Sequence, residues 1–288
     1  MDRLKLKAVL GSHPHVKAVK SGELRSDLFN LDFIEYTPTN AAFKPMVREQ
    51  AIDVCEMAIV TYLMAKAHGK PLVLLPATMM GRFQHTHALY NPAHGTLGPS
   101  DLEGKRVGIR SFTTTTGAWI RGILANDYGV NLDKIRWVTF EDPHVAEYVD
   151  TTERAPEGKK IIPMLLAGEL DAVLGDRSDD PRVRSLFGDP EAAAKAWVEK
   201  HRIVPLNHFV VVSGELAKLR PDLVEEVYAM LKESRRRAVQ AGASAPPFGV
   251  AACRPALEKI VDYAAQQQLI PRRFEVDELF DDTTRKMI

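Results

Sequence analysis

Apolar and polar residues alternate from Leu4 to Leu10, the period-two pattern of a strand with one covered face. Gly11-Ser-His-Pro-His15 then reads as a loop, followed by a helical turn over His15–Gly22. A second alternation covers Leu31–Tyr36. Thr37–Asn40 forms a turn, and Asn40 is placed to cap a helix running through about Gln50. Apolar runs at Ile52–Met57 and Leu72–Pro76 read as buried strands, with a helix over Ala58–Ala67 between them. The alternation of strand and helix predicts parallel strands joined by right-handed crossovers.

A second unit of the same kind follows an extended stretch at His85–Tyr90, the loop Asn91–Gly95 and a capped turn at Ser100–Gly104. Its strands are expected at Val107–Ile109, Arg136–Phe140 and Ala172–Leu174, and its helices over about 117–128 and 160–168. Asp150–Lys160 is polar, contains Pro156 and Gly158, and reads as a surface loop. Val204–Ser213 is a strong strand, Pro221–Gln240 a helix, and the remainder to Ile288 reads as helical and polar. These elements predict an α/β fold of two lobes with a cleft between them. Lobe I comprises 1–90 plus 208–288, lobe II comprises 91–207, and the chain crosses near 88–95 and 204–208. A ligand is then expected at strand ends and helix starts.

Composition narrows the partners. The 288 residues are 45% hydrophobic, and 38 basic side chains balance 38 acidic ones. Neither a nucleic-acid surface nor a membrane surface is indicated, and no run approaches the roughly 18 apolar residues of a spanning helix. The N-terminus reads as a strand rather than a signal peptide, so a cytoplasmic protein is expected. Cys55 and Cys253 are too few for a disulfide framework or a metal motif, and both read as small buried hydrophobes. A homo-oligomer is compatible with the composition.

The segment Gly104–Trp119 carries the clearest chemistry. A short strand feeds Arg110-Ser-Phe112, and Thr113, Thr114, Thr115 and Thr116 supply hydroxyls where a helix begins. A helix N-terminus presents backbone N–H groups and the positive end of its dipole, which suits an anion. Arg110 beside it can hold a carboxylate in a bidentate fork. Asp176 and Arg177 follow another strand and are candidates for the same pocket.

Further positions make a resemblance specific. Phe33-Ile-Glu-Tyr, Phe43-Lys-Pro-Met46, Asp53-Val-Cys-Glu-Met57, Arg82-Phe-Gln-His85 and Asp101-Leu-Glu-Gly-Lys-Arg-Val-Gly108 resemble the 4,5-dihydroxyphthalate decarboxylase family. So do Trp119-Ile-Arg-Gly-Ile-Leu124, Gly168-Glu-Leu-Asp-Ala172 and Asn207-His-Phe-Val-Val211. The likeness runs over about residues 30–235. It implies a type II periplasmic-binding-protein-like fold and decarboxylation of a hydroxylated aromatic dicarboxylate without a cofactor. The alternative is a solute-binding or ligand-sensing protein of the same fold that binds a small aromatic carboxylate without chemistry.

Decarboxylating such a ring needs three things: a cationic clamp, a general acid for the ring carbon, and an acceptor for a hydroxyl proton. Arg110 and Thr113–Thr116 are expected to form the clamp. His85 or His208 is expected to be the acid, since imidazole titrates near neutrality. Glu35 and Glu56, at strand ends, are expected to accept the proton. His13, in the loop after the first strand, is expected to touch substrate. His85 and His87 share a face if the stretch is extended, but no carboxylate or cysteine completes a metal set, and none is expected.

Overall fold

The computed structural model describes residues 3–288. Along the chain run β1 (Leu4–Val9), α1 (Lys17–Lys20), β2 (Phe29–Phe33), α2 (Phe43–Glu49), β3 (Val54–Ala58), α3 (Ile59–Ala67) and β4 (Leu72–Gly81). Next come β5 (Ala88–Tyr90), β6 (Arg106–Ile109), α4 (Thr115–Asp127), β7 (Arg136–Thr139), β8 (Glu153–Arg154), α5 (Ile161–Leu166), β9 (Ala172–Leu174), β10 (Arg184–Ser185) and α6 (Pro190–His201). Last are β11 (Leu206–Ser213), α7 (Gly214–Leu219), α8 (Pro221–Gln240) and α9 (Val250–Gln266). No helix among the described residues is long and apolar enough to cross a membrane.

The chain divides into two compact units. Unit 1 holds residues 1–81, 206–261 and 270–288; unit 2 holds 82–205 and 262–269. The first crossing thus falls at Gly81/Arg82 rather than after residue 90, and the second at Pro205/Leu206. His85 consequently belongs to unit 2, not to the first lobe. The segment 262–269, read from sequence as part of lobe I, also joins unit 2.

In unit 1 the strand order is β2-β1-β3-β11-β4. Strands β1, β2 and β3 are parallel, as the alternating elements require, and β11 inserts antiparallel between β3 and β4. Strand β3 has neighbours on both sides and is buried along its whole length, which is why it reads as nearly continuous apolar sequence. Its one charged residue is Glu56. The core gathers Leu6, Ala8, Val54, Val210 and Val212 from the sheet with Val224, Val227 and Leu231 of α8.

In unit 2 the order is β10-β5-β9-β6-β7-β8. Strands β6, β7, β8 and β9 are parallel, while β5 runs antiparallel to both β9 and β10. The parallel strands aim their C-terminal ends, at Arg110 and Gly175, toward the start of α4. Gly117 makes that approach possible. A Cβ there would stand 2.3 Å from Ile109 Cδ1 of β6, so only glycine lets the first turn of α4 lie on the strand.

Segment 262–269 is held in unit 2 by side chains that sequence patterning does not reveal. Tyr263 packs edge-on to Trp119 at 5.7 Å, and Asn126 Nδ2 donates to Gln266 Oε1 at 2.8 Å. A Cβ on Gly122 would lie 2.0 Å from the Tyr263 ring. Gly122→Leu should therefore lower stability by about 3 kcal/mol, at the upper end of what overpacking costs. A fall in the urea midpoint with an unchanged fold by circular dichroism would verify this, and an unchanged midpoint would refute the packing argument.

Candidate active site

Glu56 lies 1% exposed in the middle of the unit 1 sheet. A carboxylate cannot be carried into such a place without donors, and three converge on it. Gly11 N–H donates to Oε2 at 2.8 Å. His13 Nε2 meets the same oxygen at 2.9 Å, and His208 Nδ1 meets Oε1 at 2.7 Å. Burial by itself would raise the Glu56 carboxyl. The hydrogen bonds from His13 and His208, together with their Coulomb attraction, outweigh it and hold the group well below the usual carboxylate range.

Three elements place these groups. Val210 of β11 stands opposite Glu56, and His208 opposite Ala58. His208 and Glu56 are thus diagonal neighbours on one face of the sheet. Irregular register of β11 against β4 on either side of His208 turns the strand locally, as bulges near sites do. Gly11 and His13 come from the loop after β1. A Cβ on Gly11 would lie 2.7 Å from His13 Nε2 and 2.8 Å from Glu56 Oε2, so a side chain there would displace the bond itself.

Because an ionised carboxylate only accepts, both histidines present an N–H to Glu56. That fixes each ring: His13 keeps Nδ1, and His208 keeps Nε2, for other work. Both side chains are about one-fifth exposed, 20% and 18%, over a carboxylate at 1%. Phe43 meets the His208 ring edge-on at 5.4 Å. His15 stacks on His13 at 5.3 Å, and burial followed by the charge of His13 pushes its own imidazole down to about 4. His15 is therefore neutral near pH 7.

Three of the expected residues, His13, Glu56 and His208, are thus brought together, while a fourth is not. Strand β2 ends at Phe33, two residues before Glu35, so this side chain leaves the sheet. It is 75% exposed and pairs with Lys20 at 3.5 Å. It is a surface ion pair, not a proton acceptor beside Glu56. Nor does Glu56 suit that role: a carboxyl held so firmly ionised orients its histidines rather than taking up a proton.

In unit 2 the anion-binding candidates gather at the start of α4. Thr114 is its N-cap, and its hydroxyl donates to Ser111 O at 3.1 Å. Thr113 Oγ1 pairs with Ser111 Oγ at 3.1 Å. Thr115 and Thr116 are buried in the first turn. Thr116 Oγ1 accepts from Arg82 Nη2 at 2.7 Å. Burial, with the like charges of Arg177 and Arg110, pulls the Arg82 guanidinium below its ordinary value. Three arginines therefore share one neighbourhood, and Arg110 forms an ion pair with Glu141 at 3.4 Å. Asp176 turns back to accept from Arg177 N at 2.8 Å, a local turn bond.

Arg82 was not singled out as a site residue by sequence reasoning, although it heads the Arg-Phe-Gln-His motif. Its signal was a basic residue immediately after a strong apolar strand. His85, placed by sequence in the first lobe, belongs to unit 2 and is 2% exposed. His85–His87 is a 3₁₀ turn rather than extended chain, so the two rings do not share a strand face. His85 packs edge-on to Phe187 at 4.7 Å, and burial pushes it down to about 4. Neither ring nitrogen of His85 has a hydrogen-bond partner among the described residues. His87 bonds Thr86 Oγ1 through Nδ1 at 2.9 Å, and burial followed by the charges of Arg82 and Arg177 takes it to about 3. Among the described residues no group of three or more His, Cys, Asp and Glu is disposed to hold a metal ion.

The sign of the Glu56 contribution follows from its depressed pKa. Ionised Glu56 stabilises the fold above the unfolded carboxyl value of about 4.3, and that stabilisation is lost as pH falls below it. Glu56→Gln should cost about 3 kcal/mol at pH 7, since it leaves buried donors facing an amide. In urea unfolding the gap from the parent protein should narrow steadily below about pH 4. A gap that is constant with pH would rule out an ionised Glu56.

No family model matches the chain, but individual proteins do. It is 30% identical over 237 residues to the 4,5-dihydroxyphthalate decarboxylase of Comamonas testosteroni, spanning 77% of this chain and 72% of that protein. It is 29% identical over 213 residues to the 4,5-dihydroxyphthalate decarboxylase of Pseudomonas putida, 68% and 82% of the two chains. Among solved structures, the alkanesulfonate-binding protein SsuA from Xanthomonas axonopodis pv. citri, bound to MOPS, superposes with a TM-score of 0.61 at 16% identity. That match covers 98% of this chain and 99% of SsuA. At such identity the likeness concerns the fold alone, and it is the binding-protein-like α/β fold that the family resemblance implies. Sequence identity over three-quarters of its length carries the further conclusion: the chain belongs to the 4,5-dihydroxyphthalate decarboxylase family.

Proposed function

We propose that this protein removes one carboxylate, as CO2, from a hydroxylated aromatic dicarboxylate such as 4,5-dihydroxyphthalate. The observation that carries the reading is the pair of histidines fixed on one ionised glutamate, in a chain of this family. The reaction adds a proton to the ring carbon that bears the departing carboxylate. The positive charge reaches the para hydroxyl, which gives up its proton, the C–C bond breaks with its electrons returning to the ring, and the phenolate oxygen so formed takes that proton back. One proton enters at carbon, CO2 leaves, and aromaticity is restored.

Each unit offers groups suited to one part of this chemistry. In unit 1 one histidine of the pair, protonated, delivers the proton to carbon, while the other, neutral, accepts the hydroxyl proton. Glu56 stabilises whichever ring is cationic and keeps both in the required tautomer, a role for a buried carboxylate that recurs in acid–base sites. In unit 2 Arg82, Arg110 and the hydroxyl-rich start of α4 suit an aromatic carboxylate.

Incubation with 4,5-dihydroxyphthalate should release CO2 and form 3,4-dihydroxybenzoate. His13→Gln and His208→Gln should each lower kcat by about 10²–10⁴-fold with little change in KM. Arg82→Ala should chiefly raise KM. Thermal stabilisation by aromatic carboxylates with no CO2 from any hydroxylated phthalate would overturn the reading in favour of a ligand-binding protein.

A further inference from the structure

Arg121 is the most unusual charge in the molecule. It is 0% exposed, in the middle of α4. Its Nε donates to Gln267 Oε1 at 2.8 Å, and its Nη2 to Phe112 O at 2.7 Å. Its plane lies over the Phe112 ring at 3.8 Å. All these partners are neutral, and Nη1 has none. No carboxylate pairs with it among the described residues. Tyr148 and then Asp150 favour its charged form by Coulomb attraction, and Asp150 also accepts from Thr152 Oγ1 at 2.7 Å. Burial pulls the guanidinium down to about 9, so it remains cationic at neutral pH. A buried cation without a counter-ion is costly, and such a group persists where something else answers its charge.

Its position says what that is. Side chains on a helix lean toward its N-terminus, and Arg121 lies one turn below Gly117. A Cβ on Gly117 would stand 3.1 Å from Arg121 Nη1 and 2.8 Å from Thr114 Oγ1. The guanidinium therefore lies against the inner side of the first turn of α4, whose other side carries Thr116 and Arg82. Helix dipole and buried cation act on the same spot, in surroundings too dry to screen them.

We propose that Arg121 is a positioning residue of the unit 2 anion site: a cation left without a carboxylate so that the bound anion serves as its counter-ion, favouring dianionic over monoanionic aromatic ligands. This rests on the preceding reading of the α4 start as the carboxylate-holding part of the site. Arg121 does not touch the ligand. It raises the positive potential beneath the groups that do, so a ligand with two negative charges gains more in total than a ligand with one.

The test uses phthalate, which lacks the hydroxyls needed for turnover, and benzoate, with binding measured by calorimetry on the whole protein. Arg121→Met should weaken phthalate at least tenfold and benzoate no more than threefold, while Arg121→Lys should stay within threefold of the parent for both. Gln267→Glu provides the same test with the arginine in place. It sets a carboxylate on Arg121 Nε, losing the bond that Gln267 Nε2 donates to Ala118 O at 2.9 Å, and should also weaken phthalate about tenfold. This variant decides the matter if Arg121→Met fails to fold. Equal loss of both ligands, or phthalate binding unchanged in Gln267→Glu, would overturn the proposal. A parent protein that binds neither ligand would overturn the site reading itself.

Discussion

A buried carboxylate with three donors organises unit 1. Glu56 draws a backbone N–H and one histidine from the loop after β1, and a second histidine from β11, onto a residue of β3. Each donor is individually worth little net free energy, but leaving any of them unmade would strand a charge in the core of the sheet. Packing around the site inherits this demand. Gly11 must lack a side chain, Phe43 braces His208, and His15 stays uncharged against His13. Stability and acid–base chemistry are here the same set of bonds.

Unit 2 has the opposite electrostatic character. Its anions are mostly spent on structure: Asp127 accepts from Trp197, Lys200 and His201, and Asp171 accepts from Arg106 N. Around the start of α4, cations are in excess, with Arg82, Arg110, Arg121 and Arg177 set against Glu141. One unit has satisfied its negative charge internally, and the other holds positive charge in reserve.

Much of this was legible from residue patterning, because strands buried on one or both faces advertise themselves. β1, β3, β4, β6, β9 and β11 lie where apolar runs and alternation put them. Glu56 stood out at the end of an apolar strand, and His208 as a polar residue inside one. What was missed has identifiable causes. Glu35 looked like a strand end because alternation continues past the last ladder bond of β2. His85 looked extended because a 3₁₀ turn carries no periodic signal. Helix α6 was overlooked although Asp189 caps it and Pro190 opens it, a readable start signal. Arg121 could not be identified as buried, since its neighbours Gln267 and Phe112 are remote in sequence or in another element.

The place of β11 bears on how the chain is made. It lies between β3 and β4 in the sheet yet follows them by well over a hundred residues. As synthesis proceeds from the N-terminus, both of those strands wait with an unfilled edge while residues 82–205 emerge. Open edges of this kind invite wrong partners. His208 arrives on the strand that fills the gap, so Glu56 lacks its second imidazole until the sheet is whole. A nascent or truncated chain ending before β11 therefore carries a carboxylate in want of a partner at the centre of an unfinished sheet, and the His208–Glu56 bond forms in the same event that removes the sticky edges.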